Sequence, residues 1–394
     1  MPLEGTRTNQ EMKASAGHAH KIMIVAGEAS GDLHGSFLVR EMLAINPSLH
    51  FFGIGGNKMQ EAGVKLLAHA ADIGVVGATE VIAKIGTFIQ VIRKVSRSLD
   101  QFKPDLVILI DFPDFNLNIV ARAAKKRNIK VFYYISPQVW AWRQGRIEQI
   151  KRLVDKMAVI LPFEVDVYAR RGYAVDYVGH PLMDTVTSAL PKNEARKLFG
   201  LDEDKTTVGL LPGSRESEIS RMLPEILRAA KIILQKKPDV QYVLPLADTL
   251  KESTVRSLID AFGVPVKIVS GSTYDVIACC DLAIVTSGTA TLETGLLGVP
   301  MIIIYKLSLL SAIIGRLFIR VSHIGLVNII AGKTVVPELI QLDANAARIS
   351  TEALTILTDP EKRKEIITDL AALRSRMGKP GAARRAAQIA CDMI

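Results

Sequence analysis

The chain reads as an α/β protein with two doubly wound, parallel-sheet domains facing one another across a cleft. Three observations predict this. Short apolar runs rich in Val and Ile recur along the chain without strict alternation, as strands covered on both faces require. Helical patterns separate these runs, which implies βαβ crossovers and parallel sheets. The pattern then breaks between His180 and Thr206, at Pro181, Pro191, Gly200 and the acidic turn Asp202-Glu203-Asp204, and restarts with a strand. Size agrees, since 394 residues with 49% hydrophobic and 23% charged content suffice for two full cores.

In chain order, residues 1–20 are polar and lack the apolar stretch of a signal peptide, so they are expected to form a disordered extension. The first domain, 21–185, has strands predicted at Lys21–Ala26, His50–Ile54, Asp105–Ile110, Lys130–Ile135, Lys156–Ile160 and Val175–Val178. A linker is expected over 186–205. The second domain, 206–343, has strands predicted at Thr207–Leu211, Gln241–Leu244, Val266–Val269, Leu282–Thr286 and Met301–Tyr305. The last segment, 344–394, reads as helical and basic. It packs back on one of the domains or reaches a partner subunit in a homodimer.

Composition narrows the function. A formal charge of +9 and a pI near 9.3 favour an anionic partner: nucleic acid, a phosphorylated small molecule or an anionic membrane. No dense Lys/Arg block interleaved with aromatics supports nucleic acid. The three cysteines, Cys279, Cys280 and Cys391, make neither a disulfide framework nor a zinc spacing, and they fit a reducing cytoplasm. No cluster has metal-ligand spacing, and no cofactor motif is present, so a metal-free mechanism is expected. Asp202-x-Asp204 reads as a surface turn. No stretch qualifies as transmembrane, because Lys306, Arg316 and Arg320 interrupt the greasiest one.

Two phosphate-type loops carry the strongest functional signal. Leu211-Pro212-Gly213-Ser214-Arg215 and Ser287-Gly288-Thr289-Ala290-Thr291-Leu292-Glu293 each follow a strand and open a helix. Helix N-termini present unpaired N–H groups to phosphate, and the Arg215 guanidinium suits a diphosphate. The Glu293 carboxylate suits ribose hydroxyls. Together these loops suggest a nucleoside diphosphate-sugar site, although such turns also simply join strands to helices. Asn328 and Gln341 flank the late loop Ala331-Gly332-Lys333 and are within reach of a nucleotide there.

The first half offers a second site. Gly27-Glu28-Ala29-Ser30-Gly31-Asp32 ends the first strand and matches no nucleotide fingerprint. It reads either as a site for a second, anionic substrate or as a capped turn, with Ser30 the N-cap. Asp111, in Asp111-Phe112-Pro113-Asp114-Phe115-Asn116, ends the strongest strand and suits a general base, with Asp114 its rival. Ser136–Arg146 holds both tryptophans, Trp140 and Trp142, beside Arg143 and Arg146. Rings and guanidinium groups there fit a sugar phosphate, and the rings equally fit a core. His180 reads as a packed histidine sooner than a catalyst. Ile82, Ile85, Phe88, Ile89 and Ile92 form an apolar stripe within Glu80–Leu99, which either covers a sheet or lies on anionic lipid. Leu307–Val321 has the same ambiguity.

The strings GEASGD-x-HG, DFPDFN, SPQVWAWRQGR, GHPL, LPGSR and SGTATLE, in this order from Lys21 to Gln341, resemble the lipid-A-disaccharide synthase family, GT-B glycosyltransferases of family 19. The resemblance implies UDP-2,3-diacylglucosamine as donor and 2,3-diacylglucosamine 1-phosphate as acceptor. The products it implies are the β-1,6-linked disaccharide 1-phosphate and UDP, formed with inversion. It implies a peripheral enzyme on the inner face of a Gram-negative inner membrane. It makes Asp111 the base on the acceptor hydroxyl and Arg215, Gly213 and Ser214 the diphosphate clamp. It makes Glu293 the ribose ligand, with Ser287, Thr289, Asn328 and Gln341 nearby. Glu28, Ser30, Gly31, Asp32, Trp142 and Arg143 are the expected acceptor contacts. Alternatives are an N-acetylglucosamine transferase with another acceptor and a UDP-sugar 2-epimerase.

Overall fold

The computed structural model describes residues 20–73, 78–141, 145–306 and 323–394. The chain forms two compact units, one of residues up to Pro181 joined by Pro380–Ile394, the other Leu182–Lys379.

The first unit is built on a seven-stranded parallel sheet in the order β3-β2-β1-β4-β5-β6-β7. Its strands are β1 (Lys21–Ala26), β2 (His50–Gly55), β3 (Lys65–His69), β4 (Leu106–Ile110), β5 (Lys130–Tyr134), β6 (Lys156–Val159) and β7 (Asp176–Tyr177). Burial explains the unalternated apolar runs. Met23, Val25, Val107, Leu109 and Tyr133 point into one core, covered by Val91, Val95 and Leu99 of the helix Ala78–Phe102. Ile22, Ile24, Leu106, Ile108 and Phe132 point into the other, under Leu38, Val39 and Met42 of the helix Ala29–Ile45. The last helix, Ala382–Cys391, joins this second layer, where Ala386, Ala387 and Ala390 are buried. Lys130 Nζ donates to the Met393 carbonyl at 2.6 Å and Arg385 Nε to the Val178 carbonyl at 2.9 Å. These bonds fix the chain end to the first sheet.

The second unit has a six-stranded parallel sheet in the order β10-β9-β8-β11-β12-β13. Its strands are β8 (Thr206–Leu211), β9 (Val240–Leu246), β10 (Val266–Ser270), β11 (Leu282–Thr286), β12 (Met301–Tyr305) and β13 (Glu338–Ile340). Helices Ala346–Thr358 and Pro360–Arg376 belong here, each started by a side-chain cap, Asn345 on Arg348 N and Asp359 on Lys362 N. The Asp281 carboxylate gathers Lys192 Nζ, Arg196 Nη2, Arg363 Nη2 and the Thr207 N–H at 2.7–3.1 Å. It thereby ties the helix Lys192–Leu198 to this sheet.

The eleven predicted strands are all present, three with the predicted bounds and the others with ends moved by one or two residues. Two were missed, β3 and β13. Both are edge strands with half-buried or short patterns, KLLAH and ELI, which lack the buried Val/Ile run that marks a central strand. In the apolar stripe, Phe88 and Ile92 pack against the core while Ile89 is 42% exposed. The side chains of Ile82 and Ile85, and the segment Leu307–Val321, lie outside the described residues. Among the described residues no helix is long and apolar enough to cross a membrane.

Both sheets share one feature that locates function. In each, the chain runs outward to one edge over three strands, then restarts beside the first strand and runs to the other edge. The loops after β1 and β4, and after β8 and β11, therefore flank the switch points. There the crossover helices diverge to opposite faces and leave a crevice at the strand C-termini.

Candidate functional site

At the first switch point, β1 leads into Gly27-Glu28 and β4 into Asp111-Phe112. The two loops interlock. A Cβ on Gly27 would lie 2.3 Å from the Phe112 ring, so only glycine fits. Asp111 and Phe112 are both left-handed, with φ of 43° and 47°, a conformation that disfavours side-chain-bearing residues. Neighbours hold them there. The Asp111 carbonyl accepts from Asn116 Nδ2 at 2.7 Å and from Tyr133 Oη at 2.6 Å. Asn116 Nδ2 also reaches the Ile110 carbonyl at 3.2 Å. Residues Asn116–Ala121 form a π-helical turn, a rare geometry often found at functional sites.

The Asp111 carboxyl is pushed up to about 6, first by burial and then by the nearby Glu28 carboxylate. Glu28 is exposed and occupies the N-cap position of the helix Ala29–Ile45. Ser30, expected to be that cap, lies inside the first turn instead, because the helix begins two residues earlier than a Ser30 cap requires. Gly31 is buried against the sheet. Asp32 is also buried, and its carboxylate accepts from the N–H groups of Gly56, Lys58 and Met59 at 2.7–3.1 Å. Those bonds start the helix Asn57–Glu61 and commit the carboxylate to the loop after β2. Asp114 is the ion-pair partner of Arg146. Trp142 and Arg143 lie outside the described residues, while Trp140 stacks edge-on against Phe163 at 5.2 Å. His180 is lowered to about 3 by burial and by nearby His34, which burial itself lowers to about 4. Both rings are therefore neutral near pH 7, consistent with packed histidines.

At the second switch point, β8 runs into Pro212-Gly213-Ser214-Arg215 and the helix Glu216–Lys236. Gly213 has φ of +116°, and a Cβ there would lie 2.3 Å from Glu218 Oε2. Glu218 folds back on the loop. Its carboxylate accepts from the Ser214 N–H at 2.9 Å, the Arg215 N–H at 3.3 Å and Arg215 Nη1 at 3.3 Å. An anion thus already sits on the donors that a phosphate would use. The Arg215 side chain is 78% exposed, so this hold is a weak surface pair.

After β11, the Ser287 N–H donates to the Ile304 carbonyl at 2.9 Å and its hydroxyl to the Ile324 carbonyl at 3.3 Å. Gly288 and Thr289 are exposed at the start of the helix Thr289–Leu296, and a Cβ on Gly288 would meet nothing. Glu293, one turn on, is half-buried and accepts from Tyr274 Oη at 3.1 Å. Burial raises its carboxyl and the Tyr274 bond opposes that rise. Gln341 follows β13 in a left-handed conformation, φ 55°, its N–H on the Tyr305 carbonyl at 2.8 Å.

Asn328 departs from the expectation of a ligand contact. It is fully buried; Oδ1 accepts from the Val335 and Val336 N–H groups, and Nδ2 donates to the Val336 carbonyl and Glu338 Oε1. Every hydrogen-bonding position of that amide is taken, so its side chain supports the loop rather than facing a ligand. Tyr133, Glu218 and Tyr274 are the residues that sequence reasoning missed. Of these, only Glu218 had a signal, its capping-box spacing three residues after Arg215.

The chain is similar to known proteins along nearly its whole length. A family model described as lipid-A-disaccharide synthetase matches residues 22–393. The lipid-A-disaccharide synthase of Syntrophus aciditrophicus is 54% identical over 374 residues, covering 95% of this chain and 97% of that protein. That of Geobacter sulfurreducens is 49% identical over 376 residues, covering 95% and 98%. Among solved structures, UDP-GlcNAc 2-epimerase from Neisseria meningitidis bound to UDP-GlcNAc superposes with a TM-score of 0.61 at 14% identity, covering 94% of this chain and 98% of that one. MurG of Acinetobacter baumannii gives 0.60 at 13% identity, covering 95% and 99%. At such identities the two structures share the fold with this chain.

Proposed function

The chain belongs to the lipid-A-disaccharide synthase family, and on that premise we propose that Asp111 is the base and Arg215 the leaving-group clamp of its glycosyl transfer. The protein is a GT-B glycosyltransferase of lipid A biosynthesis. It uses a UDP-sugar donor and a phosphorylated glucosamine acceptor. In full, the reaction joins UDP-2,3-diacylglucosamine to 2,3-diacylglucosamine 1-phosphate.

Asp111 takes the proton of the acceptor 6-hydroxyl as that oxygen bonds to C1 of the donor sugar. The bond from C1 to the diphosphate oxygen breaks, its electron pair leaves with UDP, and C1 inverts. Arg215, with the N–H groups at Gly213-Ser214 and Gly288-Thr289, balances the charge gathering on the diphosphate. The Ser214 and Arg215 N–H groups and Arg215 Nη1 now hold the Glu218 carboxylate, which the diphosphate displaces. Glu293 accepts from the ribose. Thr289 and Gln341 flank the nucleotide, and Ser287 and Asn328 support its loops. Glu28, Ser30 and Gly31 line the acceptor side and Asp32 braces it; Trp142 and Arg143, outside the described residues, are assigned to the acceptor on the resemblance of their motif alone. The single observation carrying this reading is Asp111 itself. A half-buried carboxylate near a second one, held at a switch point with its pKa raised to about 6, is poised as a base near neutral pH.

The +9 charge and the exposed Ile89 support peripheral binding to an anionic membrane, taken as the inner face of a Gram-negative inner membrane. The test is UDP release from the donor, with and without the acceptor, in detergent and EDTA, for wild type and Asp111→Ala. Acceptor-dependent, EDTA-resistant release that collapses in the variant is expected. Release without acceptor points to hydrolysis or epimerisation and overturns the reading.

A further inference from the structure

Glu293 has a fixed neighbour that the transfer mechanism does not use. Tyr274 lies on the short helix Thr273–Ala278, which follows β10. Next to it, Asp275 Oδ1 accepts from Ser188 Oγ at 2.8 Å, the Ala189 N–H at 2.7 Å and the Leu190 N–H at 3.1 Å. This helix is therefore anchored independently of the nucleotide loop. Its Tyr274 hydroxyl then donates to Glu293 Oε1 at 3.1 Å.

We propose that Tyr274 is a positioning residue for ribose recognition: by holding Oε1 of Glu293, it aims Oε2 at the hydroxyls of the nucleotide ribose. The proposal rests on the reading of Glu293 as the ribose ligand. A glutamate side chain has three rotatable bonds, and an untethered carboxylate in a half-open site swings into solvent. One oxygen bonded to a phenol fixed from a separately anchored helix fixes the plane of the carboxylate. The other oxygen is then presented in one direction. The tyrosine hydroxyl thereby converts a general polar contact into a preference for a ribose over a deoxyribose.

The experiment is isothermal titration of the full chain with UDP and with 2′-deoxy-UDP, for wild type, Tyr274→Phe and Glu293→Ala, alongside donor kinetics and thermal unfolding without ligand. A hydrogen bond to a charged group sets the scale, about 10- to 100-fold in affinity. Wild type is expected to prefer UDP by that order. Tyr274→Phe is expected to lose most of this preference, weakening UDP and leaving 2′-deoxy-UDP nearly unchanged. Its donor KM rises while kcat stays within about twofold, because no group at the reacting centre has moved. If both ligands weaken equally, or the unfolding temperature falls while the preference survives, Tyr274 is a packing residue and the proposal is wrong. Glu293→Ala separates the two readings. If it retains the ribose preference, the assignment of Glu293 fails and the proposal falls with it. If it loses the preference while Tyr274→Phe keeps it, only the proposal fails.

Discussion

Replacing Asp111 with Asn should abolish transfer and make the protein more stable at alkaline pH. The folded carboxyl sits at about 6 against an ordinary value of 3.8, a gap of about two units. Each unit is worth about 1.4 kcal/mol, so keeping this group ionised in the fold costs at most about 3 kcal/mol. The side chain is only partly buried, and solvent screening reduces the figure to about 1–2 kcal/mol. The sign follows from linkage. The folded pKa lies above the unfolded one, so the native state holds the proton more tightly; stability is full below pH 3.8 and is lost as pH rises through about 6. Asparagine has the same shape, tolerates the left-handed backbone and does not titrate. The variant should therefore exceed wild type by the full amount at pH 8. At pH 5 about half of the gap should remain, and it should vanish near pH 3.5. For a domain of this size the gap at pH 8 corresponds to roughly 2–8 °C in unfolding temperature. Thermal unfolding at pH 5 and pH 8, with UDP-release kinetics on the same samples, measures both effects. A variant that is no more stable at pH 8, or whose gap does not change with pH, refutes the account of Asp111. Retained turnover refutes its role as base.

Two further outcomes follow from the same geometry. Glu28→Gln removes the negative neighbour that helps raise Asp111, so the acid limb of kcat/KM should move below its wild-type position near pH 6; a pH–rate profile reads the shift, and an unmoved limb shows that Glu28 does not sense Asp111. Arg215→Ala should lower kcat by about 10²–10³. Unfolding temperature should barely change, because the side chain is 78% exposed and its pair with Glu218 is superficial; steady-state kinetics beside thermal unfolding separates the two, and a kcat within a few-fold of wild type removes Arg215 from the clamp.

Much of the fold was legible because the chemistry of a parallel strand is blunt. Leu106–Ile110 and Leu282–Thr286 are buried along their whole length and could only be central strands. The edge strands Lys65–His69 and Glu338–Ile340 meet neither condition and were invisible. The return of Ala382–Cys391 to the first sheet was also hidden, since small alanines read as any helix until their partner surface is known. Asp111 was singled out because a carboxylate directly after a buried central strand stands at the end of a parallel sheet where the crevice forms. Asp32 and Asn328 show the limit of that logic. Both are polar and lie beside glycine loops, yet their side chains satisfy backbone groups that bending the loop would otherwise bury unpaired. Sequence does not distinguish a side chain that serves a ligand from one that serves the loop around it. Tyr274 left no trace at all, because its role depends on a neighbour nineteen positions away.

The two units place opposite imbalances at equivalent points of equivalent sheets. At the first switch point burial and the Glu28 carboxylate raise the proton affinity of Asp111, and two consecutive left-handed residues, Asp111 and Phe112, shape the turn. Strained residues cost about 1–3 kcal/mol each, so Asn116 and Tyr133 must over-determine the turn for it to persist. At the second switch point the surplus is of donors: the Arg215 guanidinium and two exposed helix starts, with Glu218 the only anion bonded to the Gly213–Arg215 loop among the described residues. A glycosyl transfer needs this division. The attacking hydroxyl must lose a proton where negative charge is already crowded and a base is only weakly acidic. The departing diphosphate must gain charge where positive dipoles are waiting. Crowding all of these groups at one switch point would pair Arg215 with Asp111, pull the carboxyl back towards its ordinary range and weaken the base. On the proposed roles, base and clamp stand on separate sheets, which keeps the two functions apart and accounts for why neither loop by itself revealed the reaction.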